Sequence, residues 1–332
     1  MISAVHHATC TVVVSRGQSR NPQKRGLETA ITAAAEKIDG VNVLTIPHLY
    51  DLPKGSDSYQ QLSSLEGDLI VVSWIYSRAA HWVLDRNGIQ GQAGLVELSD
   101  SEDDEADDSI APSSVDSDAD PVDRVTDLFP RPDRNIHCID LKLSNDPTIF
   151  MDEIRRILGD EPKNNSLPIV GGQLVQVEEQ TSRRWYPVID FSRCTNCMEC
   201  VDFCLFGVYG VDGSESILVE QPDNCRKGCP ACSRVCPENA IIFPQHKAPA
   251  IAGAQTDGDE GFKIDLSQLF GAPATDEDPI ATAARERDEQ LLLAGRDTVG
   301  IDEQLKKRQE DLAAEPKDQL DRLIDSLDEF DL

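Results

Sequence analysis

The first 160 residues of this chain predict an α/β fold with a parallel sheet. Two observations support the prediction. Thr9–Val14 is an uninterrupted apolar and β-branched run, which is typical of a buried strand. Such runs alternate four times with segments whose apolar residues recur at helical spacing, as in Gly26–Ile38. Strands that alternate with helices form parallel sheets with right-handed crossovers, so we expect one layered domain over residues 1–160.

Each element of this domain has a local signal. Ser56 can cap the second helix, and Asp146-Pro147 suits the start of the last one. Asn87-Gly88 ends the third helix. The strand order is expected to be flavodoxin-like or Rossmann-like, because both arrangements are built from such repeats. The predicted strands are Thr9–Val14, Val41–Ile46, Leu69–Trp74 and Ile136–Leu141, and the predicted helices are Gly26–Ile38, Asp57–Leu65, Arg78–Asp85 and Asp146–Leu158.

Four cations lie in the loop after the first strand, Ser15–Arg25, just before a helix begins. A helix N-terminus attracts anions because its first N–H groups are unpaired. Neither a Gly-Lys-Ser/Thr ending nor a G-x-G-x-x-G pattern accompanies the loop. Two interpretations stay open, an anion-binding loop or, in preference, an ordinary solvated loop. No nucleophile, paired-carboxylate or metallohydrolase motif is evident in the sequence.

The formal net charge of −29 is concentrated in two segments. Glu97–Asp127 contains 13 acidic residues and one basic residue, within a Ser/Asp/Glu-rich stretch that predicts a disordered insertion over residues 97–130. Ala252–Leu332 contains 22 acidic and nine basic residues. It belongs to an acidic tail, residues 248–332, predicted to be largely disordered or helical. Such charge argues against binding to nucleic acid or anionic membranes. The predicted tail helices are Pro279–Ala294, Glu303–Ala314 and Gln319–Phe330.

Eight of the ten cysteines form two matching runs between residues 194 and 236. The last three cysteines of the first run recur 32 residues later in the second. Short apolar runs flank both, at Arg184–Ile189, Leu205–Val211, Ser216–Glu220 and Ile241–Phe243. Residues 184–247 therefore predict a small α+β unit of two strand–loop–helix–strand repeats, after a linker over residues 161–183. The runs are Cys194, Cys197, Cys200 and Cys204, then Cys225, Cys229, Cys232 and Cys236, with Pro237 following.

Spacings of two intervening residues let three thiolates on one loop surround a cuboidal iron–sulfur cluster. With these spacings and the Cys236-Pro237 ending, the segment resembles the bacterial two-cluster (2 × 4Fe–4S) ferredoxins over about residues 184–245. It departs from their pattern at two points. Three residues separate Cys225 from Cys229, and Leu205 rather than proline follows the first run. Gly228 can absorb the additional residue, because glycine tolerates positive φ.

The resemblance implies two 4Fe–4S clusters with crossed ligands. In the two-cluster arrangement, the fourth cysteine of each run ligates the other cluster. The resemblance also implies a low reduction potential and fast electron exchange between the two neighbouring clusters. The expected ligands are Cys194, Cys197, Cys200 and Cys236 for the first cluster and Cys225, Cys229, Cys232 and Cys204 for the second.

Other uses of the eight cysteines fit less well. Disulfides would need strained bridges between near neighbours and an oxidising compartment, which nothing in the sequence indicates. A pair of structural zinc sites remains an alternative, although such sites favour two-cysteine knuckles over three cysteines in seven residues. The two remaining cysteines, Cys10 and Cys138, lie in apolar strand-like runs and are predicted to be buried structural thiols.

These observations predict a cytoplasmic electron carrier, more readily than an enzyme with its own active site. The sequence contains no long apolar run and no secretory signal, so no membrane partner is expected. The expected partner is a redox protein, for which the acidic segments would favour a basic docking surface. The main alternative is an iron–sulfur subunit of an oxidoreductase whose α/β domain binds a substrate or cofactor. A sensor or assembly factor with structural clusters is a third hypothesis.

Overall fold

The computed structural model describes residues 10–98, 123–159, 173–254 and 279–300. The chain divides into two compact units, Met1–Pro273 and Ala274–Leu332. The first unit contains both the α/β part and the cysteine segment. No helix in the described ranges is long and apolar enough to cross a membrane.

The α/β part consists of six strands and five helices in the described ranges. A 3₁₀ turn, Leu49–Asp51, follows the second strand. The strands are β1 (Thr11–Ser15), β2 (Asn42–Ile46), β3 (Leu69–Ser73), β4 (Gln92–Ala93), β5 (Asn135–Asp140) and β6 (Leu174–Gln176). The helices are α1 (Pro22–Ala35), α2 (Asp57–Ser64), α3 (Ser77–Arg86), α4 (Val125–Leu128) and α5 (Pro147–Leu158).

The predicted α/β class with a parallel sheet is confirmed. The six strands form one sheet in the order β4-β5-β3-β1-β2-β6. Every neighbouring pair in it is parallel. The neighbours of β1 are β2 and β3, as in flavodoxin-like sheets, whereas a Rossmann order would place the fourth strand beside β1.

Three short elements have no counterpart among the predicted ones. β4 and β6 are edge strands of two and three residues, and β6 lies in the predicted linker. β6 exists through its pairing with β2, which places Leu174 opposite Val43. Helix α4 lies at the end of the predicted insertion, whose residues 99–122 are outside the described ranges. The predicted tail helices Glu303–Ala314 and Gln319–Phe330 also lie outside them.

The sheet has a core on each face, because alternate residues of a strand point to opposite sides. Val12 and Val14 belong to the core that α1 and α5 cover. Val13 belongs to the other core, together with residues of α2 and α3. That second core also contains Tyr186, Val188 and Ile242 from the cysteine segment, which therefore packs on this face of the α/β part.

The cysteine segment consists of two small antiparallel strand pairs and short helices. The strand before the first cysteine run pairs with the strand after the second, and the two inner strands pair with each other. The predicted flanking strands are thus present in shorter form. The elements are β7 (Val188–Ile189), α6 (Glu199–Phe203), β8 (Tyr209–Val211), β9 (Ile217–Val219), α7 (Ala231–Val235), β10 (Ile241–Ile242) and α8 (Pro249–Ala252).

Asp51 attaches both ends of the cysteine segment to the α/β part. Its side chain is buried, and its Oδ1 accepts hydrogen bonds from the Arg184 N–H at 3.0 Å and from Gln245 Nε2 at 2.9 Å. A buried carboxylate needs such donors to offset its loss of hydration. In the second unit, the described residues form α9 (Pro279–Leu293), close to the first helix predicted for the tail.

Candidate metal centre

The first three cysteines lie on one tight loop after β7. The Cys194 N–H donates a hydrogen bond to the Asp190 carbonyl at 2.9 Å. Asn196 and Met198 both have left-handed backbone conformations, with φ of 61° and 65°. These residues turn the chain sharply into α6, which carries Cys200. The loop and the start of α6 therefore carry the first three cysteines of the run.

The second loop has the same design with one residue more. Cys225 follows a 3₁₀ turn, and Cys232 lies on α7. Gly228 has a φ of 89°, which confirms the expected positive φ at the additional residue. The Cys229 N–H closes the turn by donating to the Arg226 carbonyl at 3.0 Å. A longer loop thus still brings its three cysteines together.

The fourth cysteine of each run ends a short helix. Cys204 follows α6, Cys236 follows α7, and the two helices pack against each other. Burial is the largest influence on the pKa of each thiol with a raised value, and the charges of neighbouring cysteines raise these pKa values further. Burial raises the pKa of Cys194 to about 11, with a further rise from the nearby Cys236 charge. Burial and the charge of Cys236 likewise raise the pKa of Cys200.

The second group shows the reciprocal relation. Burial raises the pKa of Cys225, and the charges of Cys229 and Cys204 raise it further. Cys204 also contributes to the raised pKa of Cys232, after burial and Cys225. Electrostatic interactions thus relate the eight thiols in two sets of four, each with one member from the other run. These sets are called the first group (Cys194, Cys197, Cys200 and Cys236) and the second group (Cys225, Cys229, Cys232 and Cys204).

The two groups suit a cluster better than a single ion. In the part of the chain that the structure describes, no three His, Cys, Asp or Glu side chains lie close enough to share one metal ion. A cuboidal cluster does not require that closeness, because each of its four ligands binds a different iron atom. Four thiols are also the number of ligands that a 4Fe–4S cluster takes.

Hydrogen bonds reach the sulfur of several of these cysteines. The Asn196 N–H donates to Cys194 Sγ at 3.4 Å, and the Ala240 N–H donates to Cys236 Sγ at 3.3 Å. In the second group a side chain does so, since the Tyr209 hydroxyl donates to Cys232 Sγ at 3.0 Å. Donors of this kind stabilise negative charge on a ligand sulfur.

The two groups differ in exposure. Cys197 is exposed to solvent in the first group. Each group otherwise has two buried cysteines, Cys194 and Cys200 in the first and Cys229 and Cys232 in the second. Cys225 of the second group packs against the core of the α/β part.

The remaining two thiols lie away from these groups. Cys138 is buried in β5, and burial raises the pKa of its thiol to about 12. Cys10 is partly buried, and burial together with the charge of Asp68 raises its pKa to about 12. Both thiols are therefore protonated near neutral pH.

Residues of the basic loop after β1 form hydrogen bonds and an ion pair with other parts of the protein. Glu28 Oε1 accepts hydrogen bonds from the Gly17 N–H and from Trp74 Nε1, both at 2.7 Å. Arg16 pairs with Glu178 at 2.8 Å. The Gly17 N–H and the Arg16 guanidinium are thus engaged by the chain's own carboxylates.

Two residues near the cysteines were not anticipated from the sequence. Arg78 on α3 and Tyr209 on β8 both contact the cysteine loops. The one available signal for Arg78 is its place at the start of a predicted helix that packs on the sheet. An arginine that becomes buried there requires a partner. The sequence around Tyr209 contains no signal of its contact.

Each comparison with a known protein covers between 16% and 21% of the chain. An uncharacterized ferredoxin of Methanocaldococcus jannaschii is 48% identical over 66 residues, which are 20% of this chain and 44% of that protein. A second uncharacterized ferredoxin of this organism is 38% identical over 55 residues, 16% of this chain and 86% of that protein. Its pyruvate synthase subunit PorD is 33% identical over 70 residues, 21% of this chain and 79% of that subunit.

The chain thus spans less than half of the first relative and most of the other two. No family profile matches the chain, and no solved structure is detectably similar to it.

Proposed function

Because this chain belongs to the ferredoxin family through about a fifth of its length, we propose that it is an electron-transfer protein whose two cysteine groups each hold one 4Fe–4S cluster. The names of the relatives support an iron–sulfur electron-transfer role. That role, the number of clusters, their ligands and the partner are our proposal.

One observation carries the proposal of two clusters. Electrostatic interactions relate three cysteines of each loop to the cysteine that ends the other short helix, which supports two sets of four ligands. In this arrangement the first cluster binds Cys194, Cys197, Cys200 and Cys236, and the second binds Cys225, Cys229, Cys232 and Cys204.

The residues of the chain contribute ligands, hydrogen bonds and burial. When bound, a 4Fe–4S cluster supplies reversible one-electron transfer. The thiolates bind iron, and the N–H groups that point at sulfur offset part of the negative charge. Burial of Cys200 and Cys232, which are 6% and 8% exposed, keeps water away from the ligands. Together these influences set the reduction potential.

The first cluster is the proposed entry and exit point for electrons. Cys197 is the exposed cysteine of the eight, whereas Cys225 packs against the core of the α/β part and Cys232 is buried. A partner that approaches Cys197 comes closest to the first cluster. The second cluster then stores or relays an electron nearer to the α/β part.

The proposed partner is a redox protein with a basic docking surface. The net charge of −29, concentrated in the insertion and the tail, would steer a basic surface toward this chain. The steering would weaken as ionic strength rises, because exposed charges are screened by salt.

A second candidate function is that of an iron–sulfur subunit within a larger oxidoreductase. The relative that is named a pyruvate synthase subunit favours it. In that case the exposed side of the first cluster would contact another subunit rather than a diffusing partner.

The test of the proposal is the metal content and redox behaviour of the protein purified without oxygen. We expect about eight iron atoms and eight sulfides per chain, since each cluster contributes four of each. Titration with dithionite, followed by electron paramagnetic resonance, should reveal two reduced and interacting spins. Zinc in place of iron, or iron without sulfide, would contradict the proposal. Size measurement of the natively expressed protein separates a free carrier from a subunit.

A further inference from the structure

Arg78 reaches from the α/β part into the cysteine segment. It lies in the first turn of α3, and its side chain is 7% exposed. Its Nε donates a hydrogen bond to Asp190 Oδ2 at 2.5 Å, and its Nη2 donates one to the Asn239 carbonyl at 2.6 Å. A guanidinium group can bind two acceptors at once because its donors form a planar fork. Arg78 thereby joins two separate loops.

Each of these loops carries a cysteine of the first group. The carbonyl of Asp190 accepts a hydrogen bond from the Cys194 N–H at 2.9 Å. Asn239 directly precedes Ala240, whose N–H donates to Cys236 Sγ. Arg78 therefore lies between the two loops that must approach each other for Cys194 and Cys236 to bind one cluster.

Arg78 also brings positive charge close to this group. Arg78 and Arg193 both pair with the carboxylate of Asp190. Their Nε atoms lie 2.5 and 3.8 Å from its Oδ2. Because Nη2 of Arg78 binds the carbonyl of Asn239, three residues after Cys236, its positive charge also lies beside the loop of Cys236. A reduced cluster is more negative than an oxidised one, and a nearby cation stabilises the reduced form.

We propose that Arg78 is a positioning residue through which the α/β part holds the Cys194 and Cys236 loops together and selectively raises the reduction potential of the first cluster. The proposal rests on the proposed function, because it takes the two cysteine groups as cluster sites. It assigns the α/β part a role in electron transfer without an active site of its own.

Arg86 offers a matched control on the same helix. It also crosses to the cysteine segment, where its guanidinium lies 4.9 Å from the centre of the Tyr186 ring and Nη2 donates to the Val219 carbonyl at 3.4 Å. It contacts neither the Asp190 loop nor the Asn239 loop among the hydrogen bonds found in the described residues. Removing Arg86 takes away one cation that joins the α/β part to the cysteine segment. It leaves the hydrogen bonds of Arg78 to the two loops of the first group in place.

The experiment compares the full-length protein with Arg78→Gln, Arg78→Lys and Arg86→Gln. Each is purified anaerobically and its two reduction steps are titrated by electron paramagnetic resonance. Cys229→Ser, which disables the second site, identifies the step that belongs to the first cluster. We expect Arg78→Gln to lower the potential of that step, or to lose about half of the iron. Arg78→Lys should show a smaller decrease because the charge is retained, and Arg86→Gln should leave the first step unchanged.

The outcomes separate this proposal from the proposed function. A wild-type protein without clusters contradicts the proposed function itself. A wild-type protein with two clusters, together with an unchanged first step in Arg78→Gln, overturns only the role of Arg78. If Arg78→Gln shifts both steps equally, or if Arg86→Gln shifts the first step as much, Arg78 does not act selectively on the first cluster. If Arg78→Gln does not fold by circular dichroism, Arg78→Lys decides, and an unchanged first step in it contradicts the proposal.

Discussion

Tyr50 of the α/β part and Tyr186 of the cysteine segment are joined by three hydrogen bonds. The Tyr50 hydroxyl donates to the Tyr186 carbonyl at 2.5 Å and accepts from the Tyr186 N–H at 2.6 Å. The Tyr186 hydroxyl donates to the Tyr50 carbonyl at 2.9 Å. The two rings stack with their centroids 4.3 Å apart. Both side chains are fully buried, so this pair links the two parts of the first unit through their shared core.

The first prediction concerns the stability that this pair provides. Tyr50→Phe removes two of the three hydrogen bonds and leaves the N–H and carbonyl of Tyr186 buried without partners. We expect the free energy of unfolding to fall by about 2–4 kcal/mol, because unpaired buried polar groups are costly. Urea unfolding under anaerobic conditions, followed by circular dichroism, measures it.

Tyr59→Phe is the control for that experiment. Tyr59 is also buried, and its hydroxyl makes one hydrogen bond, to the Leu49 carbonyl at 2.8 Å, within the α/β part. Its loss should cost about 1 kcal/mol. Equal losses in the two variants would mean that the link between Tyr50 and Tyr186 adds nothing to stability.

The second prediction concerns the potential of the second cluster. The Tyr209 hydroxyl donates to Cys232 Sγ, and such a bond favours the more negative, reduced form. Tyr209→Phe removes the donor while keeping the ring. The step of the second cluster in a redox titration should move to lower potential, and the step of the first should not move. A shift confined to the first step would contradict the assignment of Tyr209 to the second cluster.

The third prediction tests the crossed ligands by counting iron. If Cys197 and Cys236 serve the same cluster, Cys197→Ser combined with Cys236→Ser disables one site and should keep about four iron atoms. Cys229→Ser combined with Cys236→Ser disables both sites and should lose nearly all iron. The reverse result would mean that Cys236 belongs with its own run. Circular dichroism verifies that both double variants are folded.

The fourth prediction concerns the two cysteines outside the groups. A thiolate, not a thiol, reacts with iodoacetamide, and the pKa of Cys10 is raised to about 12. In the native protein the labelling rate of Cys10 should therefore still rise about tenfold per pH unit between pH 8 and 10. In the unfolded protein it should level off near pH 9. Mass spectrometry of the labelled peptide measures both rates, and a native rate that levels off near pH 9 would contradict the raised pKa.

Cys138 gives the limiting case of the same experiment. Its thiol is buried in β5, with a pKa also raised to about 12. Labelling should require opening of the sheet, so its native rate should fall well below that of Cys10 at every pH. Comparable native rates for the two thiols would show that burial does not protect Cys138.

The elements that could be predicted are those with a local signal. The apolar strands and the helices between them follow from periodicity, and β1, β3 and β5 lie within one or two residues of their predicted bounds. The edge strand β6 has only three residues, and its pairing with β2 supplies the reason for its existence. Helix α4 ends an acidic stretch, and it is held by hydrogen bonds from Val125 to Cys194 and from Thr126 to Phe191. No local pattern encodes such distant acceptors.

The sequence by itself determined the chemistry of this protein. The spacing of eight cysteines and their 32-residue repeat specify the donor atoms and the two loops that present them. The tertiary structure alone decided how the α/β part meets those loops. Arg78 and Asp190 are 112 positions apart, and Tyr50 and Tyr186 are 136 apart. Ligand spacing is a property of a short loop and is visible along the chain, whereas a buried ion pair forms only once packing brings its two charges together and removes them from water.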